Sequence, residues 1–170
     1  LEHLTLPLVG SYQPCNAATA ITALRALRSR GWDISDQAIR QGLATVRWPG
    51  RFELLRSSPA FILDGSHNPH GMQATAQSLR DRFPGEKFVF LVSIMADKDA
   101  DQILDLLAPL ARCFVAVAAD LPRAMPAQDL AREICARGGQ AQPAASIPEG
   151  VALAVQLAGD GPVCALGTLY

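Results

Sequence analysis

The sequence contains no block of like charge and almost no lysine. Across 170 residues, 15 Lys and Arg stand against 16 Asp and Glu, for a formal net charge of −1. Nucleic acid and acidic membrane surfaces are held by a concentrated positive face, so no nucleic-acid or membrane partner is expected. Only Lys87 and Lys98 are lysines and the other cations are arginines, a skew that means little by itself on solvated helix faces. No apolar stretch reaches the roughly 20 residues of a membrane-spanning helix, and the amino terminus does not read as a signal peptide. The cysteines, Cys15, Cys113, Cys135 and Cys164, are far apart and form no C-x-x-C pair. That argues against a disulfide framework or a zinc site and for a reducing, cytoplasmic setting. The chain opens on Leu1 rather than methionine and reads as a fragment or a processed product.

Phosphate cradles are missing too. There is neither G-x-x-x-x-G-K-[ST] nor G-x-G-x-x-G, and no Ser/His/Asp set or Cys/His pair has a persuasive context. Internal repeats and low-complexity segments are also absent.

The composition, 49% hydrophobic, supports one good core and a piece of a second domain. Residues 1–48 hold an apolar, proline-broken "LTLPLVG". A helix carrying Ala17, Ile21, Leu24 and Leu27 follows and ends at Gly31, and a shorter one runs from the N-cap Ser35 to about Leu43. These read as the helical remnant of a larger central domain. After the Pro-Gly turn of "RWPGR" the pattern changes. Strands are expected at Phe61–Leu63, Phe88–Met95, Cys113–Ala119, "QAQP" and Val163–Leu166. Helices lie between them, the first marked by Met72, Ala76, Leu79 and Phe83. Continuous apolar strands alternating with helices predict an α/β, Rossmann-like, mostly parallel sheet with helices on both faces, over residues 49–170.

The loops differ in chemistry. Those following helices are glycine-rich and plain ("FPGEK", "RGGQ", "AGDGP"), whereas those following strands are charged ("DGSHN", "ADKDAD", "ADLPRAM"). In a parallel sheet every strand-to-helix loop lies along the carboxyl edge, where open α/β folds bind ligands. Asp64, His67, Asp97, Lys98, Asp120 and Arg123 are therefore expected on one rim.

Each candidate also has a plain structural reading. Asn68-Pro69 is a helix start. Asp64 either caps its own loop amides or accepts the two hydroxyls of a ribose. Arg51, on a bent backbone after Pro49-Gly50, is a surface arginine or a bidentate phosphate ligand. Asp99 with Gln102 is a capping pair, which leaves Asp97 and Lys98 free, with Lys98 able to meet a substrate carboxylate. Zinc would need Asp64, His67 and His70 to converge, yet His70 falls inside the helix, so no metal site is expected.

The stretches "NAATAITALRALRSRG", "GLATVRWPGRFELL", "ILDGSHNPHG", "MADKD", "LPRA" and "ALGTLY" resemble, in order, the closing part of the bifunctional dihydrofolate synthase/folylpolyglutamate synthase family of the Mur ligase superfamily. W-P-G-R-x-E followed by L-D-G-[small]-H-N-P is the most specific pair, and the resemblance covers nearly the whole chain. It implies the end of a central ATPase domain over residues 1–48 and a C-terminal domain from 49. The P-loop, most magnesium ligands and most of the folate surface would lie upstream, which accounts for the missing cradle.

The resemblance also implies ATP-dependent addition of L-glutamate to dihydropteroate or a reduced folate through an acyl phosphate, with ATP and Mg2+ as cofactors. Arg51 would contact ATP phosphates and Asp64 the ribose or neighbouring nucleotide groups, with His67 close by. Asp97 and Lys98, with Arg123, would serve the substrate, and Tyr170 would approach adenine. Two residues depart from the family pattern. Ser66 replaces a more usual alanine, and Tyr12 stands where a histidine is common. The rival expectations are another Mur-type amino-acid ligase, a stand-alone Rossmann-like binding module without catalysis, or a metal-dependent hydrolase using His67 and His70. Under the leading reading the chain alone supplies half an interdomain ATP site and is inactive.

Overall fold

The computed structural model describes residues 1–167. Residues 1–12 carry no extended regular element, and α1 (Gln13–Ser29) and α2 (Asp36–Thr45) follow. The start of α2 is fixed by the Ser35 hydroxyl, which accepts from the Ala38 amide at 3.0 Å. This satisfies one of the donors a helix leaves unpaired at its first turn. β1 (Glu53–Ser57) and β2 (Ala60–Asp64) form an antiparallel hairpin.

The remaining elements alternate: α3 (Pro69–Arg82), β3 (Phe88–Ser93), α4 (Ala100–Leu107), β4 (Ala111–Ala116), α5 (Ala127–Ala136), β5 (Ala141–Pro143), α6 (Ile147–Ala158) and β6 (Val163–Gly167). Side-chain caps start α3, α4 and α6. Asn68 Oδ1 accepts from Gly71 N at 2.8 Å, Asp99 Oδ1 from Gln102 N at 3.0 Å and Ser146 Oγ from Glu149 N at 3.3 Å.

The sheet order is β1-β2-β6-β3-β4-β5, parallel throughout except for β1. β6, last in sequence, enters between β2 and β3. One face packs against α3, α4 and α5 through Phe88, Phe90, Ile103, Leu107, Phe114 and Leu130. The Phe88–Phe90 and Phe90–Phe114 ring centroids lie 5.7 and 5.6 Å apart, within the range of favourable offset stacking. The other face, Val89, Leu91, Val115, Val163 and Ala165, is covered by α6 through Ala154 and Ala158. Both faces are thus covered, as the unbroken apolar strands require.

Two expectations need correction. The sheet begins one strand earlier than predicted, at β1, an edge strand whose Leu54 and Leu55 are both exposed. Successive exposed leucines give neither an alternating nor a continuous buried pattern, so periodicity does not reveal it. The strands expected to run to Met95 and Ala119 end at Ser93 and Ala116. Beyond those points the chain makes cross-loop contacts instead of a ladder.

Candidate functional site

Two loops lock together at the carboxyl end of β2. The first, residues 48–52, turns through Gly50 at φ +70° and Phe52 at φ +48°. The left-handed region costs a non-glycine residue of the order of 1–2 kcal/mol, and three contacts hold it here. The Phe52 amide donates to Asp64 Oδ2 at 2.7 Å, the Phe52 ring is 1% exposed in the core, and Gly65 N donates to Gly50 O at 2.8 Å. Glu53 closes the turn by accepting from Gly50 N through Oε2 at 2.8 Å. Arg51 rides on this braced turn. Its guanidinium carbon lies 5.8 Å from the Trp48 ring centroid, a cation–π distance, and it makes no ion pair among the described residues. Trp48 and Arg51 line an open cavity of about 350 Å³ with Leu8, Arg47, Pro49 and Leu54.

Asp64 closes β2. It is 1% exposed, and both oxygens are taken by the chain's own donors. Oδ2 accepts from Phe52 N, and Oδ1 from Ser66 N at 2.8 Å and Thr75 Oγ1 at 3.1 Å. The bonds from Phe52 N and Ser66 N are those that a loop-capping carboxylate makes. Ser66 contributes as well, with its hydroxyl 2.8 Å from Thr75 Oγ1. Tyr12, from the first segment, is the fourth group here. Burial and then the negative charge of Asp64 push its phenol from 10.0 up to about 12, with Arg51 opposing.

His67 lies in the loop between β2 and α3. Its Nδ1 lies 2.9 Å from Gly65 O. A carbonyl only accepts, so Nδ1 carries the proton and Nε2 is left as an acceptor. Ser66 and His67 share a shallow depression with Ser93, Met95 and Gly167. The ends of β3 and β6 close on each other there, since a Cβ on Gly167 (φ +147°) would stand 2.6 Å from Ser93 O.

The other charged loops form a second interlocked pair. Asp97 Oδ2 and Arg123 Nη1 lie 2.9 Å apart. Ala96 N donates to Arg123 O at 2.8 Å, and Met95 bridges Ala124. Asp97 and Arg123, expected as separate substrate contacts, therefore satisfy each other, at 45% and 73% side-chain exposure. Lys98 is half-buried and Asp120 exposed, and neither forms an ion pair among the described residues. Tyr170 lies outside the described residues. Among those described, no three His, Cys, Asp or Glu side chains converge as a metal site. The described residues of this chain therefore do not by themselves fit a magnesium ion.

Sequence reasoning missed Thr75, Phe52, Glu53, Trp48 and Tyr12 as parts of this constellation. Glu53 had a legible signal, a carboxylate three residues after the turn glycine. Thr75 had none, being one polar residue on a helix.

A parallel sheet covered on both faces, with its charged loops gathered at the carboxyl edge, is the class of domain that takes ligands at that edge. The chain belongs to the family described as Mur ligase, glutamate ligase domain, whose model matches residues 50–166. It is 33% identical to the folylpolyglutamate synthase of Lacticaseibacillus casei over 100% of this chain and 39% of that protein. Among solved structures, it resembles Mycobacterium tuberculosis folylpolyglutamate synthase complexed with ADP and AMPPCP. The TM-score is 0.86 at 32% identity, covering 96% of this chain and 39% of the other. It also resembles the bifunctional folylpolyglutamate synthase/dihydrofolate synthase of Yersinia pestis complexed with AMPPNP and Mn. That TM-score is 0.79 at 29% identity, covering 99% of this chain and 38% of the other. The chain thus spans about two fifths of the length of these relatives.

Proposed function

We propose that this chain supplies the carboxyl-terminal half of an interdomain ATP site in a ligase that adds L-glutamate to dihydropteroate or a reduced folate. The observation that carries this reading is Arg51, half-buried on a doubly braced turn, with no counter-ion among the described residues and beside an open cavity. An arginine held in that way is pre-organised for an anion, and its planar fork matches phosphate oxygens. Residues 1–48 are read as the end of the preceding ATPase domain, with the boundary near residue 48. Unpaired cysteines and the lack, among the described residues, of any helix long and apolar enough to cross a membrane suit a cytoplasmic reaction.

In the reaction, a carboxylate oxygen of the folate precursor attacks the γ-phosphorus of ATP, and the bond to the bridging oxygen of ADP breaks. The amine nitrogen of glutamate then attacks the acyl carbon. The bond between the acyl carbon and the phosphate oxygen breaks, phosphate leaves with that electron pair, and the amine loses a proton. Arg51 would offset the charge spread over the transferring phosphoryl oxygens. The free Nε2 of His67 can accept a hydrogen bond or a proton at the same rim. Lys98 is the candidate for a glutamate carboxylate, while Asp97 and Arg123 act as a joined pair that shapes its loop.

The test is glutamate-dependent ADP release by the full gene-encoded protein given ATP and dihydropteroate or tetrahydrofolate. The expected result is turnover with one or both acceptors and a loss of about 10²–10³-fold in kcat/KM for Arg51→Ala. Turnover within twofold of wild type in that variant would remove the phosphate role.

A further inference from the structure

Ser78 is fully buried in the middle of α3, where a serine lowers helix propensity and adds nothing to an apolar core. Its hydroxyl donates to Ala74 O, one turn back, at 2.9 Å. That leaves two lone pairs to accept with, and both are used from outside the helix. Ser11 N lies 3.0 Å from Ser78 Oγ, and Ser11 Oγ lies 2.9 Å from it. With the Ser78 proton committed to Ala74, the Ser11 hydroxyl is the donor of the second bond. One turn further along α3, Arg82 Nε donates to Val9 O at 3.1 Å. Val9 also packs against the core cluster that holds Met72 and Leu79 of α3. Four residues of helix rise about 6 Å and two residues of chain reach at most about 7 Å. Residues 9–11 therefore keep step with α3 and run antiparallel to it.

On either side of this strap the chain belongs elsewhere. Arg40 Nη1 of α2 donates to Glu2 O at 2.8 Å, which ties the segment before the strap to the helices after it. Those helices, α1 and α2, are joined by the Arg28–Asp36 ion pair at 2.8 Å and bury only Gln13 and Ile39. The helical pair returns to the sheet through residues 46–50, where Gly65 N donates to Gly50 O at 2.8 Å. Both attachments border the same open cavity, the strap through Leu8 and Val9 and the return through Val46 and Trp48.

A body held at one point swings in any direction, whereas one held at two points turns only about the line between them. We propose that residues 9–12 are a latch, held to α3 by Ser11 on Ser78 and Val9 on Arg82. The α1–α2 pair is then joined to the sheet at two places and moves only about the line from Gln13 to Val46. The inference rests on reading residues 1–48 as the end of a preceding domain, and goes beyond it by assigning a strap within that stretch to the α/β unit.

Ser78→Ala removes both bonds and is no larger than the residue it replaces. Ser11→Ala removes only the hydroxyl bond, and Ser11→Thr keeps both. The experiment uses the full gene-encoded protein and takes two readings. One is native-state hydrogen exchange at the Ser11 amide, compared with the amides of α1 and β3. The other is the distance distribution between spin-labelled noncanonical residues at the exposed positions Arg25 of α1 and Gln156 of α6.

In wild type the Ser11 amide should exchange with β3, and the distribution should be narrow. In Ser78→Ala that amide should exchange about 10–100-fold faster, as the loss of two hydrogen bonds implies. The β3 amides should be unchanged and the distribution broadened. Ser11→Ala should fall between the two, and Ser11→Thr should match wild type. A wild-type Ser11 amide that exchanges with α1 and ahead of β3 would show the strap unlatched and overturn the proposal. An unchanged Ser11 rate in Ser78→Ala, or a distribution as narrow as that of wild type, would overturn it too. If Ser78→Ala does not fold, Ser11→Ala decides by the same readings. If wild-type α1 amides are protected as well as those of β3, it is the boundary near residue 48 that fails, and the hinge fails with it.

Discussion

Tyr12 is the residue whose role is hardest to foresee. In the sequence it is noticeable only as a tyrosine where a histidine would be usual. In the fold its ring covers the backbone of Gly10, where a Cβ would stand 2.8 Å from the ring. Its hydroxyl faces Asp64 and Arg51, which lie 52 and 39 positions further along the chain. Burial and the Asp64 charge raise the phenol to about 12 from 10.0, so the fold favours its neutral form. As pH rises above 10 the unfolded chain gives up the phenolic proton first. The unfolded state then binds fewer protons than the native one, and native stability falls until both forms are ionised near pH 12. The contribution is fully present below pH 10 and lost between 10 and 12. Urea midpoints measured at pH 8 and pH 11 should therefore drop further for wild type than for Tyr12→Phe, while other titrating groups cancel between the two. Equal drops would mean that the phenol is not shielded by this contact. Asp64 itself was legible as a choice between capping and ribose binding. Of the three donors around it, Thr75 comes from a helix with no sequence signal.

At the scale of elements, the helix starts were the most legible feature, because a capping side chain acts within four residues of itself. Ser35, Asn68 and Asp99 cap the helices they were expected to cap. β1 was not legible, since an edge strand exposed on both faces, with a partner only across a hairpin, has no periodic signature. A helix was expected between "QAQP" and Val163, where α6 lies, but its closeness to the sheet was hidden. The reason for that closeness is Gly150. A Cβ there would stand 2.4 Å from Val117 Cγ1 and 3.0 Å from Leu91 Cδ1. Leucine's terminal carbon rotates away readily, whereas a β-branched valine has little freedom. Gly150→Ala gains about 1 kcal/mol of helix propensity but overpacks a filled interface, at a cost of about 1–3 kcal/mol. The net expectation is a loss of roughly 1 kcal/mol in urea unfolding at neutral pH. In a Val117→Ala background the same change should become stabilising, because the obstructing methyl is gone. Stabilisation of equal size in both backgrounds would show that α6 does not depend on the close approach.

The whole molecule divides into a well-buried sheet and a lightly attached first segment. The parallel sheet was legible because its strands are continuous apolar runs. The entry of β6 between β2 and β3 was not, because strand order is set by non-local packing that a linear pattern does not encode. β3 has five of its six residues buried. In α1 only Gln13 is buried among 17 residues, and in α2 only Ile39 among 10. The bonds from this segment to α3 are few: Ser11 N and Oγ to Ser78 Oγ at 3.0 and 2.9 Å, and Arg82 Nε to Val9 O at 3.1 Å. All of them precede α1. Local opening free energy follows buried apolar contact, so α1 and α2 should detach without disturbing the sheet. Native-state hydrogen exchange should then show α1 and α2 amides opening several kcal/mol more easily than those of β3 and β6, and insensitively to low denaturant. The amides of residues 9–12, docked on α3, should follow the sheet. Protection in α1 equal to that in β3 would instead make residues 1–48 part of one cooperative unit, and the proposed boundary near residue 48 would have no energetic meaning.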